Sequence, residues 1–205
     1  QEIPELIAAG YPSFKVFMAY KDVFQVDDLS LLKILRLTNR YGGLVLAHAE
    51  NGDIIQGLTE EFLLRGQTEP LYHALSRPPL AEEEAVNRFL TLAQIAEAPA
   101  YIVHLSTAGA LARVAEARAE GRPVFAETCP QYLFLSKDRY EEPNFEGAKY
   151  VMSPPLRARG NEDYLWQGLR GGTLQVVASD HCSFNFRGKK ELGRGDFSKI
   201  PNGAP

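Results

Sequence analysis

Leu44-Val45-Leu46-Ala47-His48 is a short apolar run that opens after a glycine pair and closes on a histidine, and its reading decides the fold. A run of this length, bounded by Gly42-Gly43, reads as a buried strand. Three other runs have the same form. Phe14-Lys15-Val16-Phe17 carries a lysine, Tyr101-Ile102-Val103-His104 ends on a histidine, and Val176-Val177-Ala178-Ser179-Asp180 ends on an aspartate. Helix-like stretches separate them, and strands that alternate with helices build a parallel sheet whose carboxyl ends open on one side. Lys15, His48, His104 and Asp180 are therefore expected to converge on one pocket, a set that points to metal-dependent hydrolysis.

The alternation continues outward from that run. A strand is expected at about 13–18, then a polar and aromatic loop from Ala19 to Phe24. Asp27 or Asp28 caps a helix with the stripe Leu31, Leu32, Leu35 and Leu37, and Gly42-Gly43 closes it where positive φ is needed. After the strand Leu44 to Ala49, a helical stretch from about Asp53 is broken by Arg77-Pro78-Pro79. A helix over 82–98 leads to a third strand, 100–105. Ser106 or Thr107 caps a helix over 108–120 that Gly121 ends. A fourth strand, 124–128, ends in Glu127-Thr128-Cys129-Pro130. An irregular stretch over 130–160 precedes a short helix near 163–169 and a last strand, 174–179. Five strands do not close an eight-stranded barrel, which leaves part of a TIM barrel or an open doubly wound sheet. No GxGxxG or GxxxxGK[ST] motif supports nucleotide binding, which favours the barrel. The expected fold class is α/β, a partial (β/α)8 barrel, with 1–205 as one domain. The start without methionine and the end on a turn suggest a piece of a longer protein.

Composition excludes several classes. With 205 residues, 45% of them hydrophobic, the chain can bury a substantial core. A net charge of -4 without a basic run argues against nucleic acid as a partner. No apolar stretch reaches the roughly 18 residues of a membrane span, and no secretory signal opens the chain, so no membrane association is expected. Cys129 and Cys182 form no CxxC pair and read as buried thiols in a reducing compartment, which suggests a cytoplasmic location.

Each candidate residue has a bland reading beside the chemical one. Period-two alternation puts Leu44, Leu46 and His48 on one strand face, and Ile102 and His104 on one face of theirs. A histidine ending a strand can be a hydrogen-bonded core residue, but two at equivalent ends of successive β/α units suit zinc, each with its second nitrogen held by an acceptor. Lys15 either extends to the strand end or pairs with a carboxylate. Alternatively, its amine, deprotonated by burial and nearby cations, takes up carbon dioxide to form a carbamate with two oxygens shaped to bridge two metals. Asp180 caps a turn, or binds metal through one oxygen and shuttles a proton through the other. His181 is expected to face away, and His73 to be a solvated loop histidine.

These residues sit in segments that resemble the dihydropyrimidinase/hydantoinase family of cyclic amidohydrolases. The segments are Ser13-Phe14-Lys15-Val16-Phe17-Met18-Ala19-Tyr20-Lys21, His48-Ala49-Glu50-Asn51-Gly52-Asp53, Val103-His104-Leu105-Ser106, Met152-Ser153-Pro154-Pro155-Leu156-Arg157, Ser179-Asp180-His181-Cys182 and Ile200-Pro201-Asn202-Gly203. They follow the family's order over nearly the whole chain, and Glu127-Thr128-Cys129-Pro130-Gln131-Tyr132 is similar to the bacterial D-hydantoinase branch. The resemblance implies the later half of an amidohydrolase TIM barrel with two zinc ions bridged by carboxylated Lys15. It implies that His48 and His104 hold one zinc, with Asp180 on the other. The family's upstream HxH pair for that other zinc is absent from these residues.

The implied reaction is hydrolysis of the amide bond in a small cyclic diamide, with Asp180 moving the proton and Tyr20 donating to the oxyanion. Ser153 and Asn202 would align the substrate, mainly through backbone groups, and some of Phe17, Met18 and Phe24 would line the pocket for its exocyclic substituent, with ordinary core packing as the other reading of these three. The resemblance also implies a homotetramer or homodimer. Allantoinase and dihydroorotase share the ligand logic, but Met18-Ala19-Tyr20-Lys21 and Pro201-Asn202-Gly203 fit them less well. Non-catalytic scaffolding relatives lose metal ligands, whereas Lys15, His48, His104 and Asp180 are kept here.

Overall fold

Five short strands lie side by side in sequence order, all parallel: β1 (Ser13–Phe17), β2 (Leu44–His48), β3 (Ala100–Ile102), β4 (Val124–Thr128) and β5 (Val176–Val177). The computed structural model describes residues 2–204. A doubly wound sheet reverses its strand order at a switch point and carries helices on both faces. Here the order runs β1-β2-β3-β4-β5 without reversal, the arrangement of a barrel wall.

The register separates the two faces of the sheet. Val16, Val45, Ala47, Ala100, Ile102, Val124 and Ala126 are buried in the main core with Leu31, Leu35, Phe89 and Val114 of the helices. The opposite face carries the row Lys15, Leu46, Tyr101 and Phe125, neighbours across three strand pairs. Phe125 on that row is 41% exposed. One face packs against helices and the other stays open, as the inner wall of an incomplete barrel does.

Capping residues place the helices. The Asp27 side chain accepts from Ser30 N at 2.7 Å to start α2 (Asp28–Tyr41), and Gly42, at φ 78°, ends it. Leu31, Leu35 and Thr38 form its buried stripe, one helical turn apart, with Thr38 in place of the expected Leu37. α3 (Gly52–Leu64) is capped by Asn51 and stops well before the expected proline break. Pro79 instead opens α5 (Pro79–Ile95), as a residue lacking N–H suits the first helical position. Thr107 caps α6 (Ala108–Ala119). α8 (Asn161–Arg170) follows the irregular stretch, which contains α7 (Pro130–Phe134) and two 3-10 turns.

Several expectations need correction. The short helix α1 (Glu2–Ala8) precedes β1 with none of its residues buried, so no apolar period announced it. β5 has only two residues, because the chain leaves the sheet at Ala178, whose N–H still bonds Thr128 O. His73 is buried in α4 (Leu71–Leu75), its Nε2 donating to Met152 O at 2.8 Å while Arg77 approaches Nδ1 at 3.2 Å. Cys129 is buried, but Cys182 is exposed, and both are free. Among the described residues no helix is long and apolar enough to cross a membrane.

Candidate active site

At the carboxyl ends of the strands, Lys15, Tyr20, His48, His104, Ser153, Asp180 and Asn202 line one cavity of about 160 Å³, with Phe17, Gln131, Met152, Cys182 and Gly203. Residues far apart in sequence reach it because every strand of a parallel sheet points its carboxyl end the same way. His181 is exposed and is not among the lining residues.

The two imidazoles converge by different routes. His48 pairs with Phe17 in the β1–β2 register and lies on the open face of the sheet, where alternation from Leu44 and Leu46 places it. β3 departs from the expected alternation. Ile102 pairs with Ala47 and belongs to the helix-side core, and Tyr101 is the residue on the open face. His104 reaches the cavity only because the strand stops at Ile102 and the chain turns through φ 41° at His104 itself. The Glu127 carboxylate holds this turn, accepting from His104 N at 3.3 Å and from the Tyr101 hydroxyl at 2.8 Å.

His48 Nδ1 and His104 Nε2 face each other at 3.0 Å, both rings 2% exposed. Burial, then the neighbouring His48 and Lys15 charges, pulls the His104 pKa well below its ordinary value, so the ring is neutral. Neutral imidazole nitrogens are what a metal ion takes. The other nitrogen of His48, Nε2, lies 2.9 Å from Glu50 Oε2. Burial opposes ionisation of Glu50, but the His48 hydrogen bond and charge, with Arg77 and Arg157, outweigh it and hold its pKa below the usual value. In the neutral ring a carboxylate accepting from Nε2–H leaves Nδ1 as the unprotonated nitrogen, the outer support that metal-bound histidines use.

Lys15 is exposed on the open face, its Nζ 5.2 Å from the centroid of Phe17. Asp180, at φ 45°, is exposed and without an ion-pair partner among the described residues. No group of three or more His, Cys, Asp or Glu residues close enough to hold a metal occurs among the described residues. The donors present therefore fit part of a metal site: two converging imidazoles with one supported, and a lysine and an aspartate on the same cavity.

Tyr20 sits just past β1 at φ 65°, its ring centroid 5.3 Å from that of His48. Burial and then the Glu50 charge raise its pKa, while Ser153, Arg77 and Asn202 act the other way, so the phenol stays protonated as a donor. Ser153 Oγ and Asn202 Oδ1 lie beside it, but both remain buried without a well-formed hydrogen bond, as do Glu50 Oε1 and His104 Nδ1. These are four of the seven such side-chain atoms among the described residues, so unmet hydrogen-bonding capacity concentrates at this site. Buried polar groups are seldom left unpaired unless something else pairs them. Phe17 lines the cavity and Phe24 stacks on it at 5.6 Å, but Met18 is 1% exposed in the helix-side core and cannot line it.

Sequence reasoning assigned no role to Glu50 or Glu127. Glu50 had a readable signal, since it lies two residues beyond His48. Glu127 acts through partners 23 and 26 residues away, which no local pattern reports.

No family model matches the sequence. A D-hydantoinase of Geobacillus stearothermophilus is 54% identical over 206 residues, covering 100% of this chain and 44% of that protein. Among solved structures, a D-hydantoinase from a Bacillus sp. AR9 matches with TM-score 0.98 and 55% identity, over 100% of this chain and 45% of that one. Dihydropyrimidinase from Brevibacillus agri NCHU1002 matches with TM-score 0.98 and 54% identity, over 100% and 44%. The chain thus spans somewhat less than half the length of the relatives it matches. Its strand order, its open-faced sheet and this level of identity together place it: the chain belongs to the dihydropyrimidinase/hydantoinase family of cyclic amidohydrolases and forms part of their TIM barrel.

Proposed function

We propose that the complete protein hydrolyses the ring amide of dihydropyrimidines or hydantoins in the cytoplasm, as a homotetramer or homodimer. The observation that carries the reading is the convergence of His48 Nδ1 and His104 Nε2 beside the half-buried Tyr20 and two unpartnered polar groups. His48 and His104 would hold one divalent cation, and Asp180 would contribute to a second. Carboxylated Lys15, formed when its free amine attacks carbon dioxide and loses a proton, would contribute an oxygen to each. Two zinc ions, or other divalent metals, would supply Lewis acidity and a nucleophilic hydroxide at neutral pH when bound.

The chain's own groups perform the rest. Asp180 would take the proton of the attacking water and deliver it to the leaving ring nitrogen, so that C–N cleavage releases an amine rather than an amide anion. The Tyr20 hydroxyl would donate to the oxygen that gains charge, and losing such a donor costs about 2.7–4 kcal/mol of transition-state stabilisation. Ser153 and Asn202 would align the diimide, and Phe17 with Phe24 would face its exocyclic substituent. The test is hydrolysis of dihydrouracil and of hydantoin by the complete protein, with metal analysis. Ring opening with about two metals per chain is expected. A fully metal-loaded protein that opens neither ring would overturn the proposal.

A further inference from the structure

Among the described residues Lys190 is the one lysine in the buried polar set, 1% exposed, and it is not among the residues lining the cavity. Its Nζ donates to three backbone carbonyls, Val151 O, Pro201 O and Gly203 O, each at 2.7 Å. An ammonium has three N–H donors, and all three are used. No carboxylate pairs with it among the described residues. Burial pulls its pKa down to about 8, so at pH 7 it is still mostly charged.

The three carbonyls belong to the two loops that carry Ser153 and Asn202. Val151 lies two residues before Ser153, and Pro201 and Gly203 flank Asn202 on both sides. Gly203 N also bonds Val151 O at 3.0 Å, so the loops are tied directly as well as through the lysine. At φ 150°, Gly203 leaves room for Cys182 O, which brings the loop after Asp180 against the same point.

We infer that Lys190 is a positioning residue that sets the spacing of the Ser153 and Asn202 loops and thereby the affinity for the ring. The inference rests on the proposed function, because it takes those loops to be the substrate's clamp. Charge-assisted bonds from one ammonium to both loops hold them at a fixed separation more firmly than neutral bonds would. Every metal-ligand candidate lies outside this set of contacts, so the role is separable from metal binding.

The experiment compares the complete wild-type protein with Lys190→Met, which keeps the apolar stem and removes all three donors. A second variant, Lys190→Gln, keeps two donors. Lys190→Met is expected to raise KM for dihydrouracil or hydantoin about tenfold or more, with metal content unchanged and kcat within about threefold of wild type. Lys190→Gln should fall between them. An unaltered KM in both variants overturns the inference, and so does loss of kcat or metal in step with KM. Failure of both to fold overturns it too, since the lysine would then serve the fold as a whole. The wild-type arm separates the two readings: no ring opening by wild type refutes the proposed function, whereas an active wild type with an unaltered Lys190→Met refutes the role of Lys190 alone.

Discussion

Breaking the buried pair of Glu82 and Arg157 should loosen the turns on both sides of the cavity, and its cost can be worked from the contacts. Glu82 is 2% and Arg157 6% exposed, and their side chains meet at 2.9 Å. Glu82 also accepts from Ser106 N at 2.7 Å and Ser106 Oγ at 2.6 Å. Arg157 donates further to Ser106 Oγ at 3.0 Å and to Arg77 O at 2.6 Å. Ser106 lies two residues past His104, and Arg157 four past Ser153, so the pair joins the β3 turn to a substrate loop. Removing one partner of such a pair leaves a buried charge uncompensated, which costs about 3–5 kcal/mol. Glu82→Met or Arg157→Met should therefore reduce hydrogen-exchange protection of the segments around Ser106 and Arg157 by about two orders of magnitude or more. Glu82→Met with Arg157→Met removes both charges and strands mainly the Ser106 donors and Arg77 O, a penalty of about 1–3 kcal/mol for each group. The double variant should thus lose less than the two single variants summed, with a coupling of about 2 kcal/mol. Exchange mass spectrometry on the complete protein measures all three. Additive losses, or single losses under about 1 kcal/mol, would refute the reasoning.

Three further outcomes are expected. Glu50→Gln removes the charge that supports His48, so metal affinity in chelator competition should fall about tenfold; unchanged affinity would deny Glu50 that role. Gly203→Ala introduces a side chain at φ 150° against Cys182 O, and should lower the denaturation midpoint by the equivalent of more than about 1 kcal/mol; no shift would mean the loop yields freely. His73 is held neutral, its pKa well below 6.5, by burial and then by the Arg77 charge. Below about pH 6.5 the unfolded chain binds a proton there that the folded chain refuses, so this group's contribution falls as pH falls, by about 1.4 kcal/mol per unit. Glu50 acts in a lower window, its contribution present above its ordinary value of 4.5 and lost as pH falls through its lowered folded value. Between pH 7 and 5, His73→Gln should flatten the stability profile by one such slope, and superimposable profiles would rule this out.

What was legible in the sequence was local. The apolar runs marked the sheet, and the caps Asp27 and Thr107 and the terminator Gly42 placed helix ends, because each acts within a few residues. Alternation oriented His48 correctly, since β2 stays in register through that residue. The same rule misplaced Ile102, since β3 ends before the alternation can carry to His104. His73 looked solvated among polar neighbours, but its partner Met152 is 79 residues away. Lys190, Arg157 and Glu82 escaped for the same reason: buried polar side chains are satisfied by long-range partners, and no periodicity encodes them.

The departure of β3 from its expected path also exposes a cost that recurs around the cavity. Tyr20, His104 and Asp180 are all non-glycine residues with left-handed φ, and each lies two or three residues past the end of its strand. A side chain must cross the rim of the sheet to enter the cavity, and one left-handed residue turns the chain that sharply. The strain costs roughly 1–2 kcal/mol per residue and persists only where neighbours over-determine it. At His104 the neighbours are Glu127, which accepts from His104 N and, through its backbone, from Leu105 N at 2.8 Å, and Thr128, which donates to Leu105 O at 2.8 Å. If the backbone and not the ring carries this cost, His104→Gly should be more stable than His104→Ala, although glycine elsewhere is worse than alanine by roughly 0.5–1 kcal/mol. The net advantage of glycine should be about 0.5–1 kcal/mol, read from denaturation midpoints of the two variants. An alanine variant equal to or more stable than glycine would mean that the turn relaxes without the histidine, and that the imidazole itself holds the chain in its left-handed state.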